Sequence, residues 1–218
     1  MASQLDRVSI RTFVNEQLSA RPDAFKIPAR NLDIFAVRDF LTAKECKYLI
    51  ARIDRRRIPS TVLGGHPDEQ FRTSETCNLD PDDKLVRTIE KKLAELMGIP
   101  TEQGETIQGQ RYAVGQQFKQ HHDFFFTDQP YWQTEKDMGG QRTWTAMIFL
   151  NQPEAGGETY FEKAGIKVAP RTGTLLTWYN LDQRGEPNLN SLHEGRPVAA
   201  GVKYIITKWY RERRWGPN

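Results

Sequence analysis

The chain has no uninterrupted apolar run of the roughly 18 residues that a membrane-spanning helix needs. Its opening stretch, MASQLDRVSIRTF, also lacks the apolar core of a secretory signal. A cytoplasmic protein with no membrane partner is therefore expected. Cysteine is nearly absent. Cys46 and Cys77 are the two in the chain, and their spacing fits neither a zinc site nor a disulfide framework. Free thiols in a reducing cytosol are the expectation. A dominant charge is missing as well: 31 Lys and Arg face 28 Asp and Glu, a net charge of +3, which argues against a nucleic-acid partner. The basic end, Lys208 to Arg214, is interleaved with Trp209 and Tyr210 and reads as a strand end with a solvated face. Histidine is scarce, at four residues.

The chain has 38% hydrophobic and 11% aromatic residues over 218 positions, enough for one globular domain with a sizeable core. Residues 1–104 read as helical support. Val8, Phe13, Val14 and Leu18 form a loose helical stripe, broken by Pro22 and Pro28. Leu32 to Val37 reads as a short strand. Thr42 and Glu45 form a capping box before a helix that buries Leu49, Ile50 and Ile53. Asp80-Pro81 opens a helix through Leu85, Ile89, Leu93 and Leu96, ended by Gly98 and Pro100; its charges read as solvated surface. Residues 105–213 are β-rich. Candidate strands are 106–114, 117–124, 144–150, 158–161, 174–178, 191–193, 197–198 and 202–211. Many short strands between Gly/Pro turns predict a double-sheet barrel. Two longer polar segments, 55–76 and 127–141, read as loops able to border a site.

Three of the histidines lie near chemistry. In a strand, residues two apart share a face, so His121 and Asp123 converge while His122 packs outside. Two imidazoles and a carboxylate with open positions suit non-haem Fe(II). Zinc stays open on ligand count, and a pair of surface histidines beside a solvated Asp is the plainer alternative. His193 supplies a possible third ligand. Beyond it, Lys203 shares a strand face with Ile205, Thr207 and Trp209. If that face is internal, Lys203 is buried and needs an anionic partner such as a dicarboxylate. The alternative is a lysine at the strand mouth that reaches water. His66, between Gly65 and Pro67, reads as an exposed loop residue.

Taken in order, these elements resemble a known family. Tyr112, Gly115-Gln116, His121-x-Asp123, Arg142-Thr143-Trp144-Thr145, Gly156-Gly157-Glu158-Thr159, Ser191-Leu192-His193, Gly201-Val202-Lys203 and Lys208-Trp209 are similar to the 2-oxoglutarate, Fe(II)-dependent dioxygenases, and most to the prolyl 4-hydroxylase branch. The resemblance spans about Arg72 to Arg213.

That resemblance implies an α+β, mainly β fold: a double-stranded β-helix (jelly-roll) core with N-terminal supporting helices. It implies Fe(II) held by His121, Asp123 and His193, with 2-oxoglutarate and O2 as cosubstrates and ascorbate as an accessory reductant. Lys203 would pair with the remote carboxylate, and Tyr112 and Thr145 would hydrogen-bond the cosubstrate. A carboxylate at position 123 favours hydroxylation over halogenation. Arg72 and Trp209 would border the substrate, and Tyr131 and Trp132 would hold a peptide or fold back on their own loop. The implied reaction is hydroxylation of a C–H bond, with peptidyl proline as the substrate. A free amino acid or other small molecule is the alternative substrate. A metal- or 2-oxoglutarate-binding sensor without turnover is the alternative of another class. Two reduced cysteines depart from the secreted collagen-modifying relatives, so their substrate is not carried over.

Overall fold

The computed structural model describes residues 6–217; the first five residues of the opening segment lie outside it. In chain order the elements are α1 (Arg7–Ser19), β1 (Ala24–Lys26), β2 (Ile34–Val37), α2 (Ala43–Arg56), β3 (Ile58–Pro59), β4 (Glu75–Asn78) and α3 (Lys84–Met97). There follow β5 (Gln108–Tyr112), β6 (Phe118–His121), α4 (Trp132–Asp137), β7 (Arg142–Phe149), β8 (Ala155–Gly156) and β9 (Thr159–Phe161). The chain closes with β10 (Ile166–Val168), β11 (Leu175–Tyr179), β12 (His193–Gly195), β13 (Val198–Ala200) and β14 (Lys203–Arg211). Among the described residues the strands form three antiparallel sheets. The large one runs β1-β2-β11-β7-β14-β5-β4-β3, the second β10-β9-β12-β6, and a small one pairs β13 with β8. This is the expected jelly roll, backed by helices α1 to α3.

Local chemistry explains the helix ends. Thr42 and Glu45 form the predicted capping box, each satisfying an otherwise free amide of the other's segment. The third helix starts later than predicted. Asp83, not Asp80, caps it by accepting from the Leu85 amide, because Asp80 and Pro81 make a preceding turn. Gly98 ends it at φ +67, and a Cβ there would lie 2.2 Å from the Phe13 ring. Only glycine meets both demands.

The large sheet is buried on both faces, which is where the single-face reading of its strands falls short. Toward the helices, Ile206 and Tyr210 of β14 pack with Leu18, Leu49, Ile53 and Leu93. On the other face, Ile205 joins Tyr112, Phe149, Leu176 and Trp178. Each fully buried apolar side chain contributes about 1.5–3 kcal/mol of transfer free energy. The solvated face predicted for the basic end does not exist along the strand: Lys208 and Arg211 are buried. Lys208 pairs with Glu90 of α3, so one of that helix's charges is not the free surface group predicted. Arg211 pairs with Glu105 and Glu135. The 127–141 segment holds the short helix α4, which lacks an apolar period long enough to signal it.

Candidate active site

His121 ends β6 and His193 begins β12, and the two strands pair with these residues directly opposite. Asp123 lies just past the end of β6. Although the strand ends before it, its carboxylate converges with the His121 ring, as the two-residue spacing predicted. Each histidine is fixed in the same way. His121 Nδ1 donates to the Lys119 carbonyl and His193 Nδ1 to the Ser191 carbonyl, both at 2.8 Å. A carbonyl only accepts, so each Nδ1 carries a proton, and Nε2 is the ring atom of each histidine placed to take a metal. Those Nε2 atoms stand 3.8 Å from the two oxygens of Asp123, His121 facing Oδ1 and His193 facing Oδ2.

Ligand atoms of the three residues all lie within 4.8 Å of one another, a spacing that a single metal ion can bridge. Burial pushes the His121 imidazole well below its ordinary value, with His193 adding to the shift. Burial alone would raise the Asp123 carboxyl. His193, His121, Arg142 and the Thr145 hydroxyl outweigh it and hold the group ionised below its usual range. Neutral imidazoles and an ionised carboxylate are the states a divalent cation requires. His122 is not one of the three clustered ligands, but contrary to expectation it lines the neighbouring groove; its ring packs 4.5 Å from Phe124, and its buried Nε2 has no partner among the described residues.

Beside this cluster is a pocket lined by Tyr112, Thr159, Trp178, Lys203 and Trp209. Lys203 is buried at its wall, and among the described residues its amine makes no hydrogen bond or salt bridge. It faces the Tyr112 ring at 5.1 Å and the Phe149 ring at 5.7 Å. Burial drives its pKa down to about 7, opposed only by the Glu158 charge. The Thr159 hydroxyl and the indole N–H groups of Trp178 and Trp209 also lack partners. Buried groups in folded proteins are ordinarily paired, so a wall with one bare cation and several bare donors fits an anion. Thr159 and Trp178 carried no assigned role in the sequence, although Thr159 sat within the quoted GGET run.

The other predicted residues divide. The Tyr112 hydroxyl reaches the pocket wall but donates to Gln110 Oε1 at 2.7 Å. Thr145 departs from its expected role. Its single proton goes to Asp123 Oδ2 at 2.7 Å, which leaves no donor for a cosubstrate. Arg72, Trp209 and Tyr131 line a groove of about 620 Å³ that reaches His121 and Asp123. Arg72 spans it, donating to the Thr61 carbonyl and to Gln108 with its guanidinium over the Phe118 ring. Trp132 does not line the groove; it starts α4. His66 borders the groove, stacked on Phe71 at 3.8 Å. Sequence reasoning also assigned no role to Arg142, which stands over Trp209 and Phe125 and is held in a two-pronged pair by the partly buried Glu105.

Known proteins are similar to this chain. Residues 107–211 match the family described as the 2OG-Fe(II) oxygenase superfamily. An Arabidopsis thaliana protein named probable prolyl 4-hydroxylase 3 is 33% identical, over 80% of this chain and 68% of its own length. A second from the same plant, probable prolyl 4-hydroxylase 10, is 34% identical over 79% of this chain and 66% of its own. The chain thus spans about two thirds of these relatives. Among solved structures, a viral collagen prolyl hydroxylase from Paramecium Bursaria Chlorella virus-1, in complex with 2OG, superposes with a TM-score of 0.65. It is 28% identical, and the match covers 84% of this chain and 96% of that one. This chain belongs to the 2OG-Fe(II) oxygenase superfamily, in its prolyl 4-hydroxylase-like branch, and is an oxidoreductase that uses Fe(II) and 2-oxoglutarate.

Proposed function

We propose that the protein hydroxylates proline within a peptide, with His121, Asp123 and His193 holding Fe(II) and Lys203 anchoring 2-oxoglutarate. The observation that carries the reading is the bare, buried amine of Lys203 in a pocket next to the three-ligand cluster. A dicarboxylate that reaches the metal with one end presents its other carboxylate to that amine. Pairing restores the charge that burial disfavours, so the cosubstrate and Lys203 stabilise one another. Thr159 and the two tryptophan N–H groups offer further hydrogen bonds to the same anion.

When bound, the metal together with 2-oxoglutarate and O2 supplies the oxidising power for hydroxylation. The chain's own contribution is placement. The Nδ1 bonds of His121 and His193 hold both rings with Nε2 directed inward, and Thr145 fixes the carboxylate. The apolar wall of Phe161 and Trp178 against His193 keeps water from that side. The groove over the cluster is lined with aromatic side chains, among them Phe71, Phe118, Tyr131 and Trp209. An extended proline-containing peptide binds such surfaces at small entropic cost, because its backbone is already stiff.

The test is succinate formation from 2-oxoglutarate under air, run with a proline-rich peptide and with free proline, using His193→Ala as control. Succinate with a one-oxygen mass gain on peptidyl proline is expected. Modification of free proline but not of peptide would overturn the substrate assignment. The ligand assignment has its own check: His121→Ala should abolish Fe(II) binding, whereas His122→Ala should leave it. The reverse pattern would assign the ligand to His122.

A further inference from the structure

Asn180 has no place in the chemistry so far, yet it is completely buried just past the end of β11. Its side-chain Nδ2 donates to Thr145 Oγ1 at 2.9 Å, and Thr145 Oγ1 donates to Asp123 Oδ2 at 2.7 Å. The direction of these bonds follows from chemistry. An ionised carboxylate only accepts, so the one hydroxyl proton of Thr145 is committed to it. Thr145 must then accept from Asn180, which requires the amide nitrogen on that side. The carbonyl oxygen of the amide is left buried without a partner among the described residues.

The main chain of Asn180 leads the other way. Its carbonyl accepts from the Asn188 amide at 3.1 Å. The Asn188 carbonyl accepts from the Ser191 hydroxyl at 2.8 Å, and the Ser191 carbonyl accepts from His193 Nδ1 at 2.8 Å. A continuous buried path therefore runs from Asp123 through Thr145, Asn180, Asn188 and Ser191 to His193. Two of the three ligands, on segments seventy residues apart in the chain, meet through one residue.

We propose that Asn180 is a positioning residue for the metal centre: through Thr145 it holds the Asp123 carboxylate in its ligating orientation, in register with His193. The inference rests on the assignment of His121, Asp123 and His193 as the ligands. Without the amide donor, the Thr145 oxygen loses its partner and the hydroxyl is free to turn from Asp123. The carboxylate then loses the bond that selects its rotamer. Partners of metal ligands typically set affinity by tenfold to a hundredfold.

The experiment is titration of the metal-free full chain with Mn(II), followed by electron paramagnetic resonance, alongside melting of the metal-free protein. Asn180→Leu keeps the side-chain size and both main-chain bonds while removing the donor. It should weaken Mn(II) binding about tenfold. Thr145→Val should weaken it by at least as much, and Thr145→Ser should keep it within about threefold. Because Asn180 acts through Thr145, adding Asn180→Leu to Thr145→Val should cause no further loss. Mn(II) affinity within twofold of wild type in Asn180→Leu would overturn the proposal. So would a full additional loss in the double variant, since Asn180 would then act by another route. Should Asn180→Leu not fold, the Thr145 pair reads the same link, and equal weakening by Val and Ser overturns it. Asp123→Ala separates this proposal from the ligand assignment beneath it. If Asp123→Ala leaves Mn(II) binding intact, the ligand assignment itself fails. If Asp123→Ala abolishes binding but Asn180→Leu does not affect it, only the role of Asn180 fails.

Discussion

Strand β14 carries two buried lysines five residues apart on opposite faces, and they live in opposite circumstances. Lys208 faces the helices, where its amine meets Glu90 and donates to the Glu105 carbonyl. Lys203 faces the pocket, and among the described residues no hydrogen bond or ion pair reaches its amine. Burial lowers the pKa of both, but Glu90 opposes it at Lys208 with a direct ion pair, whereas only the charge of Glu158 does so at Lys203. One lysine is part of the scaffold and complete within the chain. The other has no such counter-charge in contact among the described residues, the state that the proposed pairing with 2-oxoglutarate would relieve. An unpaired buried cation is a cost to the fold, so its presence on a pocket wall is a stronger sign of anion binding than a lysine on the surface would be.

The largest expected effect comes from removing the incomplete member. Lys203→Met should weaken 2-oxoglutarate binding by roughly 10²–10³-fold, the equivalent of about 3–4 kcal/mol for stripping a buried charge of its partner. The same substitution should leave the melting temperature of the ligand-free protein unchanged or raised, because it deletes a group that is unpaired there. Calorimetric titration of Mn(II)-loaded protein and a thermal melt read the two quantities. A fall in ligand-free stability with intact 2-oxoglutarate binding would erase the contrast between the two lysines.

Breaking the complete member should do the opposite. Glu90→Ala strands Lys208, which is only 2% exposed, and should destabilise the fold by about 3 kcal/mol. Glu90 keeps about a fifth of its side chain in water, which places the expectation at the lower end of the usual range. Affinity for 2-oxoglutarate should stay within twofold. Chemical denaturation gives the first number and calorimetry the second. A large loss of cosubstrate affinity would show that the two faces of the strand are coupled.

Acidity sharpens the comparison further. The Lys203 amine titrates near 7 in the folded, ligand-free protein and near 10.5 when free. Between those values the unfolded chain holds a proton that the folded one does not. Stability from this residue is therefore complete above about 10.5 and declines as pH falls toward 7, by at most about 1.4 kcal/mol per pH unit. Cosubstrate binding runs the other way. The carboxylate needs the charged amine, so affinity should weaken as pH rises above about 7, by up to about tenfold per unit. Lys203→Met should flatten both profiles. A 2-oxoglutarate dissociation constant that stays constant from pH 6.5 to 8.5 in the unmodified chain would remove Lys203 from the carboxylate.

The same contrast explains what was legible in the sequence. The β-rich core could be read from short apolar strands between Gly/Pro turns, whereas His121, Asp123, His193 and Lys203 were singled out together by the family resemblance, because strand spacing alone left alternatives open for each. Thr42 and Glu45 announced their helix because a capping box is local chemistry. Where reading failed, the cause was a long-range partner. Lys208 and Arg211 looked solvated because Glu90, Glu105 and Glu135 lie far away in the chain. Thr145 was given to the cosubstrate because nothing local reveals that Asp123 takes its proton. Asn180 was assigned no role in the sequence, and only the fold brings its amide to Thr145. Trp132 drew notice as an aromatic in a loop, but the short helix α4 places it off the groove.

The smallest effect tests whether an unpaired polar group means a ligand wherever it occurs. Tyr210 is fully buried on the helix side, two residues from Lys208, and its hydroxyl has no partner among the described residues. Burial, with Glu90 adding its charge, pushes its pKa well above the ordinary value, so the group stays a neutral phenol. Unlike Thr159 and Trp178 across the sheet, it does not line the pocket beside the ligand cluster. Replacing it by Phe removes a desolvated hydroxyl and keeps the ring, so Tyr210→Phe should be neutral or stabilising by up to about 1 kcal/mol, with cosubstrate affinity unchanged. Trp209→Phe, one residue earlier and facing the pocket, should weaken 2-oxoglutarate by a few-fold, the worth of roughly one hydrogen bond of about 1 kcal/mol. If both substitutions weakened the cosubstrate equally, a bare donor would carry no information about where the anion sits. Divergence between these neighbours would show that it is the pocket, and not the missing partner alone, that makes an unpaired group functional.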